Sequence, residues 1–363
     1  MKKIGILTFH NVPNYGASLQ AFALKKYLSK ITDGSIYILD FRCRGNSEEY
    51  VPANYIKKIC SSKNFIKSIV KRALFSLFSK KDYCQKHKKF ENFKKTHLNI
   101  TPYNNVYDEF DCVFCGSDQI WNYDITDGFQ LPYFGADKPV TSETKVISYA
   151  ASCGDVAEFP QEKKDELFSL VKNLNKISVR EDGLNEELNK NNIASVNTVD
   201  PTFLLSAQEY LSSFEVEEKN SSKYLLEYAL RPSSELDELS KKIASNKGLE
   251  FVKICGYCKI KNEQGIFNAG PKEFISLIAN ADYVTTNSFH GTAFSLIFKK
   301  NFNVVLPASR KGRVFDLLST LKMQSRICEK YESADIADIN YEEIEPILNE
   351  KIEKSKQFIK DVF

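Results

Sequence analysis

Long apolar runs are missing from this chain of 363 residues. None approaches the ~20 residues that a helix needs to cross a bilayer, so no membrane span is expected. The first apolar stretch, Ile4 to Phe9, is too short for a leader peptide, and no small-residue cleavage site follows it. It reads as a buried strand. A GxGxxG fingerprint is also missing after that strand, so a dinucleotide is not indicated. No carboxylate cluster with metal-ligand spacing is evident, and neither a required metal nor another cofactor is expected. Histidine is scarce, with four in the chain, so the setting of each one is informative.

Cysteine is not scarce. Nine cysteines without a leader suggest reduced thiols and a cytoplasmic protein. Two CxxC pairs, Cys112/Cys115 and Cys255/Cys258, raise the question of a four-thiolate zinc site. Cys112 to Cys115 lies in a strand pattern, where neighbouring side chains point to opposite faces, so that pair is poorly placed to share a metal. Cys255 to Cys258 resembles a turn but has no convincing partner pair.

Hydrophobic residues make up 42% and charged residues 27%, which suits a water-soluble chain with enough apolar side chains for two cores. The formal net charge of +3 hides an uneven distribution. Between Ile56 and Lys95 thirteen Lys or Arg face two acids, a net +11 that leaves −8 for the remainder. Within this stretch Ile66, Ile69, Val70, Ala73, Leu74 and Leu77 recur at helical spacing, with Lys63, Lys67, Lys71 and Arg72 largely opposite. A basic amphipathic helix of this kind can lie on an anionic membrane surface, or it can be a solvated helix packed on its own domain. No nucleic-acid motif accompanies the charge, so nucleic acid is not expected as a partner.

Alternating strand and helix patterns predict an α/β fold with parallel sheets. In the first half, strands are expected over residues 4–9, 36–40, 111–115, 146–152, 176–180 and 196–199, with a helix over 18–28. In the second half they are expected over 223–230, 250–254, 281–285 and 303–306, with helices over 234–246 and from Gly270. These make two doubly wound domains, residues 1–205 with a basic helical insertion at 56–95, and residues 206–335. A last helical segment, 336–363, is expected to pack back on the first domain.

The most informative stretch runs from Thr286 to Ser295, where a strand hands over to a helix. Open α/β sheets bind ligands at the carboxyl ends of their strands. The first helical N–H groups favour an anion, Gly291 permits close backbone approach, and His290 can donate to an anion or move a proton. A helix-capping turn with a satisfied histidine would place the same residues there.

Five motifs resemble the polysaccharide pyruvyl transferases: Asn14-Tyr-Gly-Ala-Ser-Leu-Gln20, Gly116-Ser-Asp-Gln-Ile-Trp-Asn122, Ile177-Ser-Val-Arg-Glu181, Val199-Asp-Pro-Thr202 and Ser288-Phe-His-Gly-Thr292. The resemblance spans about residues 3–325. It implies two Rossmann-like domains of the glycosyltransferase-B kind. It also implies transfer of a pyruvyl unit from phosphoenolpyruvate to two hydroxyls of a sugar, with release of phosphate. On that reading Arg180, Ser288, His290, Gly291, Thr292, Arg310, Lys311 and Arg313 hold the donor, and Asn14, Tyr15, Gly16, Ser117, Asp118 and Gln119 hold the acceptor. His290, Arg180 and Asp118 would carry the chemistry, with Asp118 as the base or, equally, as a helix cap. The acceptor could be free or lipid-linked at the inner face of the cell membrane. Two other readings stay open: a nucleotide-sugar glycosyltransferase of the same shape, and a non-catalytic glycan- or membrane-binding module.

Overall fold

The computed structural model describes residues 2–43, 80–103, 107–139, 141–217, 223–256, 264–306 and 312–363. The first domain opens with β1 (Lys3–Leu7), α1 (Tyr15–Ile31) and β2 (Ser35–Asp40), followed by α2 (Lys80–His97), β3 (Ile100–Pro102) and β4 (Cys112–Cys115). A single turn, α3 (Tyr123–Thr126), leads to β5 (Lys145–Ala151), α4 (Gln161–Val171), β6 (Lys176–Val179), α5 (Asp182–Lys190) and β7 (Val196–Asn197). The connection to the second domain carries α6 (Ala207–Phe214). Then come β8 (Tyr224–Ala229), α7 (Ser234–Lys247), β9 (Glu250–Cys255), α8 (Pro271–Ala279), β10 (Tyr283–Thr286), α9 (Phe289–Ile297) and β11 (Asn301–Val305). α10 (Gly312–Thr320), β12 (Ile327–Cys328) and α11 (Tyr341–Lys360) complete the described elements.

Both sheets are parallel. The first has the order β3-β2-β1-β4-β5-β6-β7 and the second β12-β11-β10-β8-β9. Strand order therefore reverses between β1 and β4 in one sheet and between β8 and β10 in the other. These are the two switch points where chain leaves neighbouring strands in opposite directions and opens a crevice. The expected pair of doubly wound Rossmann-like domains is present, with their switch-point loops turned toward each other as in glycosyltransferase-B folds.

Side-chain alternation splits the strands between cores, as a period of two requires. Ile4, Ile6, Cys112 and Phe114 enter one cluster, whereas Leu7, Val113 and Cys115 enter another on the opposite face. Cys112 and Cys115 are thus held apart by their own strand and cannot share a metal. Cys255 is buried, and Cys258 lies outside the described residues.

The first of these clusters is shared by the two domains. Tyr15, at the start of α1, stacks on Phe274 of α8 with ring centroids 4.7 Å apart, meets Tyr228 edge-on, and donates its hydroxyl to the Ala269 carbonyl at 3.1 Å. Tyr210 and Phe214 of α6 pack on Phe22, and Tyr210 also packs on Phe294. α11 reaches both halves: the Tyr341 hydroxyl donates to Lys300 O, while Ser355 Oγ accepts from Val199 N and Phe358 O accepts from Lys176 Nζ.

The described part of the basic stretch, α2, buries one face and leaves the other exposed. It buries Tyr83, Lys86, Phe90, Phe93 and Lys94. Lys86 Nζ donates to the carbonyls of Cys255 and Gly256 in the second domain and lies 4.9 Å from the Tyr15 ring centroid. Lys89 pairs with Glu273 at 2.5 Å. Two of the seven lysines in residues 80–95, Lys86 and Lys89, thus contact the second domain. The amphipathic run from Ile66 to Leu77 lies outside the described residues. No helix among the described residues is long and apolar enough to cross a membrane.

Tyr15 is the central side chain of this interface. Tyr15→Ala is expected to lower stability by about 3–5 kcal/mol through the cavity it leaves. Tyr15→Phe should cost about 1 kcal/mol by orphaning the Ala269 carbonyl. Urea unfolding of the two variants checks both values.

Candidate functional site

The site is built where the strand ends of the two domains meet. Asp200, just past β7, is its centre. Its Oδ1 accepts from the backbone N–H and the hydroxyl of Thr202 at 3.0 and 2.8 Å. Its Oδ2 accepts from Arg180 NH1 at 2.7 Å and from Ser117 Oγ at 3.1 Å. His290 Nε2 approaches the same oxygen at 3.8 Å. Burial alone would raise the Asp200 carboxyl, but His290, Arg180 and Thr202 outweigh it and hold the group below its ordinary value. With His290 neutral, the Arg180 and Thr202 contributions still act in that direction.

Arg180 follows β6 and is buried among carboxylates. Besides Asp200 it faces Asp118 Oδ1 through NH2 and Glu181 Oε1 through Nε, each at 3.7 Å. Those two distances lie within ion-pair range but beyond hydrogen-bond range. Burial works against its charge, and the three carboxylates more than compensate, so its pKa is raised. The guanidinium carbon lies 4.7 Å from the Phe289 ring centroid, and that of Arg313 lies 5.8 Å from the same ring. Arg313 NH1 is 3.7 Å from Asp118 Oδ1. Two guanidinium groups from different domains therefore share one aromatic platform.

Four polar atoms here are buried without a hydrogen-bond partner: Arg180 Nε, Arg180 NH2, His290 Nε2 and Glu181 Oε2. Unmet buried polar atoms cost free energy, so such a concentration marks a place prepared for a ligand. Burial pushes the His290 imidazole down, offset only in part by Asp200 and Asp118, and favours its neutral form. Burial pushes the Glu181 carboxyl up, offset in part by Arg180 and by the Ser152 hydroxyl that donates to it.

The candidate residues fall into three groups. Arg180, His290, Asp118, Arg313 and Ser117 are brought together around Asp200. Asn14, Asp118 and Gln119 keep partial exposure beside them. Asn14 caps α1 by accepting from Ala17 N, and Asp118 accepts from Gln119 N at 2.9 Å. Ser288, Gly291 and Thr292 are occupied with the helix itself. Ser288 caps α9, and Thr292 Oγ1 donates to Ser288 O at 3.1 Å. A Cβ on Gly291 would stand 2.2 Å from Thr286 Oγ1, so this glycine clears a neighbouring strand side chain. Tyr15 is enclosed in the domain interface. Gly16 forms the wall behind His290, where a Cβ would lie 1.9 Å from Nδ1. Arg310 and Lys311 lie outside the described residues.

Glu181, Asp200 and Phe289 had no assigned role in the sequence reading. Each sits inside a motif already noted there, which was the available signal. Asp118 adds a further feature: its φ of 69° is left-handed, uncommon for a residue with a side chain, and this strained backbone directs the carboxylate between the two arginines.

The family model for polysaccharide pyruvyl transferases matches residues 14–309. This chain belongs to the polysaccharide pyruvyl transferase family. The matched span includes the described strand ends that carry Asp118, Arg180, Asp200 and His290. Membership makes it a polysaccharide-modifying transferase. Among curated proteins none matches the chain. Solved structures with similar coordinates include the UDP-GlcNAc 2-epimerase from Neisseria meningitidis bound to UDP-GlcNAc, with 12% identity, TM-score 0.49, 100% of this chain and 99% of that one covered. The Methanocaldococcus jannaschii UDP-GlcNAc 2-epimerase in complex with UDP-GlcNAc and UDP gives 12% identity, TM-score 0.47 and the same two coverages. E. coli heptosyltransferase WaaC with ADP gives 9% identity and TM-score 0.38 over 96% of this chain and 99% of that one. Likenesses this distant carry no functional argument.

Gly16→Ala tests whether the transferase site depends on this tight wall. Ala is a good helix residue, but overpacking against His290 should cost about 1–3 kcal/mol. Displacing the imidazole should reduce turnover by about 10²-fold. Thermal unfolding and activity measured on the same preparation read both effects.

Proposed function

We propose that this transferase makes a cyclic pyruvate ketal on a sugar, with phosphoenolpyruvate as donor. The carrying observation is the set of unpartnered buried donors, Arg180 Nε, Arg180 NH2 and His290 Nε2, with Arg313 across the Phe289 ring. A small ligand with a phosphate and a carboxylate supplies the several anionic oxygens that such a set requires.

The chemistry runs in balanced steps. A proton is added to the methylene carbon of the donor, leaving a cationic centre on the neighbouring carbon. A sugar hydroxyl adds to that centre and gives up its proton to Asp118. The carbon–oxygen bond to phosphate then breaks, and the phosphate departs between the arginines. A second hydroxyl adds, its proton passes to the released phosphate, and the ketal closes. His290, placed on the donor side with an unpartnered Nε2, is the group assigned to proton delivery. Glu181 holds Arg180 from behind, and Asp200 fixes Arg180, Ser117 and His290 relative to one another. Fixed charges of this kind lower the barrier because they need not reorganise during the reaction.

The decisive experiment is incubation with phosphoenolpyruvate and a panel of free and lipid-linked glycans, reading the ketal by mass and phosphate release in parallel. A product formed from nucleotide sugars instead would replace this reading with that of a glycosyltransferase. Arg180→Lys keeps charge but loses the planar fork, and kcat/KM should fall by about 10²–10³-fold.

Proton linkage gives an independent check. His290 is held neutral by burial in the free protein, and a multiply charged anion beside it favours the imidazolium. Its pKa therefore rises on binding, so the complex takes up a proton. Affinity should strengthen as pH falls from the higher value in the complex to the depressed value in the free protein. Calorimetry in two buffers of different ionisation enthalpy reads that uptake. His290→Asn should abolish its protein share, and an unchanged uptake would reject His290 as the linked group.

A cytoplasmic protein resting on the inner membrane face belongs to the same proposal. Lys80 and Lys81 are solvent-facing, as such a contact needs. Sedimentation with anionic vesicles at low salt, reversed at high salt, is the expected behaviour.

A further inference from the structure

A polar cavity lies outside the Asp200 cluster, in the first domain. It has a volume of about 500 Å³ and opens between the carboxyl ends of β1 and β2 and the last turns of α2. Its wall includes His10, Asp40, Arg42, Lys94, Lys95 and Glu91. None of these residues takes part in the cluster around Asp200.

Its interior is organised by hydrogen bonds. His10 Nε2 lies 3.0 Å from Asp40 Oδ1, and Nδ1 lies 3.0 Å from the Thr8 carbonyl. Arg42 chelates Asp40 through Nε at 2.9 Å and NH2 at 2.7 Å. The hydrogen bonds from His10 and then Arg42 hold the Asp40 carboxyl well below the ordinary carboxylate range. Lys94 pairs with Glu91 at 2.5 Å and donates to Asn11 Oδ1 at 3.1 Å. Both wall carboxylates are thus already matched by wall cations. Lys95 has no ion-pair partner among the described residues, and Arg42 and Lys94 have N–H groups left over, so the cavity presents surplus positive donors.

The cavity is also tied to the catalytic loops. The Thr8 carbonyl that faces His10 belongs to the residue whose Oγ1 donates to Ser117 O at 3.0 Å, and Ser117 Oγ donates to Asp200. A molecule seated in the cavity therefore lies one strand end away from the loop of Asp118.

We propose that this cavity binds the phosphate or diphosphate group that carries the acceptor sugar, so that the sugar itself extends toward Asp118. The proposal rests on the pyruvyl-transfer reading for the identity of the sugar, but not for the anion site. Phosphate fits better than a sugar carboxylate. Two lysine ammonium groups from the last turns of α2 and one guanidinium from the segment after β2 line the space, and a diphosphate offers enough oxygens to meet all three. The volume exceeds what the phosphates alone fill.

The test uses the full chain and inorganic pyrophosphate as probe. Arg42→Gln with Lys95→Gln, both at exposed positions, should weaken pyrophosphate binding by about tenfold or more in calorimetry, the effect of removing two charge-assisted contacts. Lys88→Gln, on the outer face of the same helix, should leave it unchanged. Two further arms separate the sources: a nucleoside diphosphate sugar in solution, and a polyprenyl diphosphate sugar in neutral phosphatidylcholine vesicles. The ligand that loses more affinity in the double variant is the natural class. Equal pyrophosphate binding by wild type and double variant overturns the proposal, as does binding of glucuronate in preference to pyrophosphate. If the pyrophosphate result holds and no ketal forms with any glycan, the pyruvyl reading fails and the anion site stands. If ketals form and the double variant binds pyrophosphate normally, the reverse is true.

Discussion

The ion pair between Arg180 and Asp200 is the constraint on which the site depends. A buried charge is costly unless it is matched and hydrogen-bonded. Asp200 meets that condition by accepting from Thr202, Ser117 and Arg180, which arise from three different strand ends or loops. Fixing this carboxylate therefore fixes the relative positions of β4, β6 and β7 at their carboxyl ends. Arg180 is less completely matched, since two of its nitrogens have no hydrogen-bond partner. The acid is saturated and acts as scaffold, while the guanidinium retains two nitrogens without a hydrogen-bond partner.

The second constraint is the shared core. Tyr15, Phe274, Phe294, Tyr210 and Phe22 belong to one apolar cluster, so neither sheet completes its buried face alone. This explains how groups from separate domains are held in contact. His290 touches the space above Gly16 because α1 and α9 are both packed against that cluster. The geometry of the Asp200 cluster is thus inherited from apolar packing, which is dense and tolerates little slack.

Much of this was legible in the chain. Short apolar runs placed most of the strands, because a parallel strand buried on both faces reads as a near-continuous apolar run. Strand-to-helix transitions marked His290 and Asp118, and the run Lys176–Val179 marked Arg180 by its end. What escaped was long-range. Glu181 and Asp200 are ordinary acids by sequence and become special only through burial beside Arg180. Tyr15 was assigned to an acceptor cleft, since nothing local distinguishes an aromatic that faces substrate from one that faces another domain. The contacts of Lys86 and Lys89 were not legible for the same reason: helical spacing shows which residues share a face, not what that face meets.

Lys86 shows what this last point means for the molecule as a material. The residue is 4% exposed, and its ammonium sits on two carbonyl oxygens across the domain boundary and over the Tyr15 ring. Mobile ions screen charges only where they can approach them. The exposed Lys89–Glu273 pair fades as ionic strength rises, whereas the Lys86 contact does not. The joint between the domains is therefore salt-resistant at its centre and salt-sensitive at its rim, and dilution or brine alters how it frays without altering where it is pinned.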